Sequence, residues 1–223
     1  AKKFVNYTPD MQYIAIKPKP TEQINLEDEK RQEKMKALGD KLYQQSVPIK
    51  GTLGEKYLAE FRGLTHYENA DIRFIKSVSG IDKSTGNRVY SPAVMSIAID
   101  DKNELHHVQV IRLNNDGSKN KDVKITKQTY GKMNGFAVEL NTKADKSVTY
   151  LAEGVETGLS ILTANKKAHV LAVLGKSNFA NINLDKLADK VVLALDNDGI
   201  KSLSDKIINE AINRIENVGK EVY

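Results

Sequence analysis

At 223 residues and 24.8 kDa, with 40% hydrophobic and 28% charged residues, the chain has the composition of a folded protein, large enough for one substantial domain or two small ones. It has no cysteine, which excludes disulfides and thiolate zinc sites, and its four histidines (His66, His106, His107, His169) are too scattered for a zinc cluster. No apolar run approaches the ~20 residues of a membrane span and the polar start AKKFVNYTPD is no signal peptide, so a cytoplasmic protein without a membrane partner is expected.

Residues 1–23, with their AIKPKPTEQ stretch, read as an extended, proline-stiffened arm, and 25–46 as a charged helix with a thin stripe of Met35, Leu38 and Leu42. Together they make up a first segment, 1–47. The stretch GTLGEKYLAEFRGL then predicts a helix. Thr52 and Glu55 form a capping box, Leu53, Tyr57, Leu58 and Phe61 share one face, and Gly63 stops it. Up to residue 146 the chain is β-rich: DIRFI, AVMSIAI, HHVQVIRL, VKITKQ and FAVEL alternate with turn clusters such as SGIDKSTGN, DDKNE and NNDGS. The expectation for 48–146 is an α+β unit, an antiparallel sheet with one or two helices.

Within that unit, Arg112, Lys119, Lys121, Lys124, Lys127 and Lys132 face only Asp116 and Asp122, with Tyr130 nearby for stacking. Two readings stay open, a solvated hairpin and a surface for single-stranded DNA on which Lys121, Lys124 and Lys127 follow the phosphates. The net charge of +5 and pI near 9.1 are spread along the chain. Residues 147–223 carry 9 basic and 10 acidic residues, so attraction to a polyanion must come from upstream.

The pattern changes near Lys146. Short apolar strands (VTYLAE, HVLAVLG, KVVLALD) alternate with helices (ETGLSILTANKK, a turn around FANI, and 203–217), the signature of a parallel sheet covered on both faces. The last helix puts Leu203, Ile207, Ile208, Ala211, Ile212 and Ile215 on one face, with Ser202 and Asp205 as caps and Gly219 as its stop. The ending GKEVY reads as a further strand, and with a start that is not Met it suggests a piece of a longer protein.

Ligands of open parallel sheets bind beyond the carboxyl ends of the strands. Here those ends are Glu153-Gly154, Gly175-Lys176-Ser177-Asn178 and Asp196-Asn197-Asp198-Gly199. Three carboxylates meeting there would repel unless a cation sat among them, and Mg2+ (or Mn2+) suits such oxygen ligands, completed by substrate phosphate. Lys176 and Asn178 stand where a phosphate would be met. The bland reading of each acid is a helix cap or loop stabiliser. A Walker A loop is excluded because Val170 occupies the position of its first glycine, and an EF-hand because Ile200 and Lys201 stand where the loop needs a ligand and its glycine.

YLAEGVETGLSIL, VLAVLGKSNF and VVLALDNDGI, in that order and spacing, resemble the Toprim domain shared by DnaG-type primases, topoisomerases and related nucleases. The variant is most similar to that of plasmid and phage primases and of the C-terminal part of conjugative relaxases, and the resemblance extends upstream to about residue 48. It implies a Toprim-like α/β parallel sheet flanked by helices over 147–223, a general acid/base role for Glu153 and Mg2+ binding by Asp196 and Asp198, with Glu153 as a further ligand. It further implies primase-like nucleotidyl transfer on single-stranded DNA, with nucleotides and the remaining domains of a larger parent protein as partners. The chain departs from the primase pattern at Thr157, where an acid is usual, and after Asp198, where it reads Gly199-Ile200-Lys201-Ser202. Two alternatives remain: a catalytically lapsed Toprim module that only binds DNA or a partner within a relaxase, and a phosphatase of the haloacid-dehalogenase type, whose first motif LALDNDGI resembles.

Overall fold

The computed structural model describes residues 21–100, 102–133, 135–196 and 205–223, with side chains from residue 27 onward. Two five-stranded sheets organise it. The first is antiparallel, with β1 (Val47–Pro48), β2 (Ile72–Ile81), β3 (Arg88–Ile99), β4 (Leu105–Arg112) and β5 (Lys127–Gly131) side by side in chain order. Hairpin connections produce that order. β3 is buried continuously from Ser91 to Ala98 because both faces of this sheet are covered.

On one face lies α1 (Thr21–Gln45), whose Met35, Leu42 and Tyr43 pack against a cluster that includes Ile75, Met95, Val110 and Tyr130. The helix begins earlier than the composition of 25–46 predicts, and Leu38 of the expected stripe is 40% exposed. On the other face sits α2 (Leu53–Lys56), which continues as a π-helical turn over Tyr57–Phe61. Thr52 Oγ1 accepts from the N–H groups of Gly54 and Glu55 as expected, but Glu55 Oε2 accepts from Gly51 N–H (2.6 Å) instead of closing the box on Thr52. The wider turn buries Tyr57 and Leu58 and leaves Phe61 46% exposed, so the predicted four-residue face is only partly used. Of the predicted strand VKITKQ, residues 123–126 make a loop held by an isolated Val123–Asp82 bridge, and pairing with β4 begins at Lys127.

The second sheet has the order β10-β9-β7-β8-β6. Strands β7 (Asp145–Ala152), β8 (Ala168–Ala172), β9 (Lys190–Ala194) and β10 (Glu221–Val222) are parallel. β6 (Val138–Glu139) is the exception: it comes from the predicted FAVEL strand, expected upstream, and pairs antiparallel with β8. Beyond Gly131 the chain has left the first sheet, and the open edge of β8 satisfies its backbone while Val138 enters the core at 0% exposure.

Helix α3 (Val155–Ala164) joins β7 to β8 on the face turned toward the first sheet, and α4 (Lys206–Glu216) lies on the opposite face. α3 comes close to the sheet at Gly158, where a Cβ would stand 2.4 Å from Leu140 Cδ1 and 3.1 Å from Val170 Cγ1. Asp205 caps α4, its Oδ1 accepting from Ile207 N–H at 3.0 Å, while the predicted cap Ser202 and Leu203 lie outside the described residues. One core runs between the two halves: Tyr57, Leu58, Val94 and Ile111 from the first belong to the same cluster as Leu140, Val155, Leu159 and Val170. An α/β architecture with one antiparallel and one mainly parallel sheet is thus what the patterning predicts and what the chain adopts. Among the described residues no helix is long and apolar enough to cross a membrane.

Candidate active site at the carboxyl ends of the parallel strands

β7 and β9 end in register, with Ala152 opposite Ala194. Parallel neighbours that end in register release the chain at the same edge, so the residues that follow emerge side by side. Glu153 N–H donates to Ala194 carbonyl at 3.1 Å, extending the ladder by one rung, and Asp196 N–H donates to Glu153 Oε2 at 3.4 Å. Thr157, in the first turn of α3, donates its hydroxyl to Asp196 Oδ1 at 2.8 Å. Glu153 is half-buried and Asp196 exposed. Two of the three expected carboxylates therefore share one edge, and the third, Asp198, lies outside the described residues together with Asn197 and Gly199. Among the described residues no group of three or more acidic or histidine side chains is placed to hold a metal.

The end of β8 contributes differently. Gly175 adopts φ +141°, a conformation that favours glycine, and hands the chain to a 3-10 turn over Lys176–Asn181. Lys176 Nζ pairs with Asp205 Oδ2 at 3.5 Å, tying this strand end to the cap of α4. Asn178 departs from its expected phosphate role. It is 2% exposed, and its amide accepts from Gly135 N–H (3.0 Å) and donates to the Phe136 (3.1 Å) and Val173 (2.9 Å) carbonyls. A side chain so engaged is a bracket between the chain segments it bonds.

The basic segment also divides. Arg112 is 2% exposed and donates to the carbonyls of Ser79 and Ile125 and to Gln128 Oε1 and Tyr130 Oη, and Tyr130 is 7% exposed beneath α1. Neither can serve the DNA surface for which sequence selected them, because β4 and β5 turn both into the sheet's covered face. Lys121, Lys124 and Lys127 are exposed. The Lys127 ammonium lies 3.6 Å from where a Cβ on Gly154 would stand, directly over the Glu153-Gly154 turn. Lys121 and Lys124 lie in the loop before β5, where the Lys83 ammonium bonds the Lys121 carbonyl and Lys124 N–H donates to Ile81 carbonyl at 2.8 Å.

Sequence reasoning passed over Glu156, one turn from Glu153. Its Oε1 accepts from Tyr57 Oη (2.5 Å) and forms an ion pair with Arg62 Nε (2.8 Å), and its Oε2 stands 3.8 Å from Lys119 Nζ. Burial alone would raise its pKa, but the Tyr57 hydrogen bond and the charges of Lys119, Arg62 and Lys127 outweigh it and hold the carboxyl below its ordinary value. A first-turn acid also suits the helix dipole, which gave the residue a sufficient local reason to exist.

Away from this edge, a cavity of about 310 Å3 opens between the two halves, lined among others by Asp71, Asp100, Phe136, Glu139 and Lys186. Burial, and then the charge of Glu139, raise the Asp71 pKa to about 6.

The fold and the family match of its second half are those of a domain of the Toprim class. Residues 148–223 match the Toprim domain family and form a Toprim domain, and residues 33–140 match a domain of unknown function (DUF7146). Among solved structures the chain resembles a DNA primase domain from Pseudomonas aeruginosa, at TM-score 0.53 and 15% identity over 86% of this chain and 69% of that one. It also matches the primase fragment of the bacteriophage T7 primase-helicase (TM-score 0.45, 15% identity, 73% of this chain and 62% of that one) and the E. coli primase catalytic core (TM-score 0.45, 14% identity, 71% and 60%). At such identities the likeness is one of fold, and the chain spans less than two thirds of the phage and E. coli fragments. No curated protein matches it.

Proposed function

We propose that the chain is the primase-like, Mg2+-dependent part of a nucleic-acid-processing protein that joins nucleotides on single-stranded DNA, with a plasmid primase or a conjugative relaxase as its parent. The observation that carries this is the placement of Glu153 and Asp196 at the carboxyl ends of neighbouring parallel strands, within one hydrogen bond of each other. An exposed carboxylate paired with a half-buried one is a donor set suited to a Mg2+ site that keeps waters and is completed by substrate phosphates. Asp196 would hold the ion together with Asp198 and, in part, Glu153, and the ion would neutralise phosphate charge as it shifts.

The chain's own residues account for the rest. Glu153 Oε2 is engaged by Asp196 N–H, which leaves Oε1 to take the proton of an attacking hydroxyl. That hydroxyl oxygen bonds the nucleotide's α-phosphorus, whose bond to pyrophosphate breaks. Thr157 fixes one oxygen of Asp196 and leaves the other for the ion. Lys127, over the Glu153-Gly154 turn, offers a cation to the phosphate chain at the same edge, and Lys121 and Lys124 add exposed positive charge in the loop before β5.

The test is primer synthesis on single-stranded DNA with Mg2+ or Mn2+, comparing the wild-type protein with Glu153→Gln. Loss of synthesis with retained DNA binding in the variant supports the reading. A wild-type protein that binds DNA and makes no primer in the context of its parent points to the lapsed, binding-only module.

A further inference from the structure

Glu156 has the geometry of a clamp. Its partners come from two places in the upstream half: Tyr57 and Arg62 from the π-helical turn and its end, and Lys119 from the loop between β4 and β5. The carboxylate is 14% exposed and Tyr57 1%, so the tie is shielded from solvent at its inner end. The same loop is seated on α2 from the other side. Gly117 (φ +92°) lets it approach so closely that a Cβ there would stand 3.2 Å from Lys56 Cδ. Three cations, Arg62, Lys119 and Lys127, would drive one another apart without a counter-charge among them. Glu156 is rooted in the helix that starts immediately after the Glu153-Gly154 turn, so whatever it holds is held relative to that turn.

We propose that Glu156 is a positioning residue. By accepting a hydrogen bond from Tyr57 and pairing with Arg62 and Lys119, it fixes the basic β4–β5 loop of the upstream half over the first turn of α3, and so sets where Lys119 and Lys127 stand relative to Glu153. The consequence for catalysis rests on the primase-like reading; the clamp itself does not.

The experiment compares the whole chain as wild type, Glu156→Gln, Glu156→Asp and Tyr57→Phe. Glutamine keeps the size and the acceptor for Tyr57 but removes the charge that Arg62 and Lys119 need. Amide hydrogen exchange over residues 116–128 in Glu156→Gln is expected to accelerate about tenfold relative to wild type, while strands β7 and β9 keep their protection, as befits a local opening. Glu156→Asp, which retains the charge, is expected to recover part of that protection, and Tyr57→Phe to lose less than Glu156→Gln. In primer synthesis, kcat of Glu156→Gln is expected to fall about 10- to 100-fold with KM for nucleotide little changed, the cost of misplacing groups by about 1 Å. Single-stranded DNA binding at low salt should be no weaker, because a negative charge has left a basic surface. Unchanged exchange over 116–128 in Glu156→Gln overturns the proposal, as does accelerated exchange through β7 and β9 alike, which would make Glu156 a general stability residue. Absence of primer synthesis in the wild type counts against the functional reading alone, and the exchange comparison still decides on the clamp.

Discussion

The backbone N–H of Asp196 donates to the carboxylate of Glu153 across 3.4 Å, joining the ends of β9 and β7 at one edge of the parallel sheet. The two side chains therefore have separable roles. Glu153→Gln keeps an oxygen for that N–H and removes only the proton acceptor, so primer synthesis should fall by about 10^2- to 10^4-fold while Mn2+ binding, followed by electron paramagnetic resonance, is reduced modestly. Asp196→Asn should weaken Mn2+ binding more than Glu153→Gln does. The reverse ranking would move the ion toward Glu153.

Lys121, Lys124 and Lys127 are exposed, and Lys127 stands over the Glu153-Gly154 turn. Replacing all three with Ala should weaken binding to every single-stranded sequence by a similar factor and lower the slope of log K against log salt by about 2, as expected for three lost phosphate contacts. Filter binding at several salt concentrations checks this. Affinity and slope unchanged at low salt would make the segment a solvated surface.

Asn178 sits at a strand end where phosphate binding was expected, yet its buried amide bonds three backbone groups. Asn178→Ala leaves those groups unpaired and should cost about 2–4 kcal/mol in urea unfolding, with DNA affinity of the folded protein preserved. A loss of affinity without loss of stability would restore its phosphate role.

Gly135, which donates to Asn178, has φ +83°, and a Cβ there would lie 2.0 Å from the backbone carbonyl oxygen of Asn181. Backbone cannot step aside as a side-chain end can. Gly135→Ala should therefore destabilise the fold by more than about 2 kcal/mol, above the 1–2 kcal/mol for the left-handed conformation alone. The denaturant midpoint reads it directly.

Two groups, the buried His107 and the half-buried Asp71, give stability opposite slopes with pH. Burial lowers the His107 pKa from its ordinary 6.5 to about 4, so the unfolded chain takes up a proton first and the His107 contribution is lost as pH falls from 6.5 toward 4. Asp71 behaves conversely. Its folded pKa near 6 lies above the ordinary 3.8, so its contribution is present below 3.8 and is lost as pH rises toward 6. The two oppose each other between about pH 4 and 6. Asp71→Asn should expose the histidine slope and make the protein distinctly acid-labile in this range, and His107→Phe should do the opposite. Urea titrations at pH 4.5, 5.5 and 6.5 distinguish the two.

Much of this was legible in the residues themselves, because it is local. The alternation of short apolar runs with helices from Lys146 onward could be satisfied only by a parallel sheet covered on both faces, and a strand that ends in Glu153 or Asp196 delivers its acid to the edge whatever surrounds it. Side-chain direction relative to the other layers is not local, and there the tertiary structure decided. Arg112 and Tyr130 look like a basic, stacking surface in sequence, but α1 covers the face of the sheet to which β4 and β5 turn them. Val138 looks like the last strand of the first sheet, and the open edge of β8, formed by residues 30 positions later, takes it instead. Glu156 shows the same limit from the other side. In sequence it is an ordinary first-turn acid, and only packing the π-helical turn and the β4–β5 loop against α3 surrounds it with Tyr57, Arg62 and Lys119, partners up to 99 positions away, because a carboxylate's charge is shaped by whatever long-range folding places within a few ångströms of it.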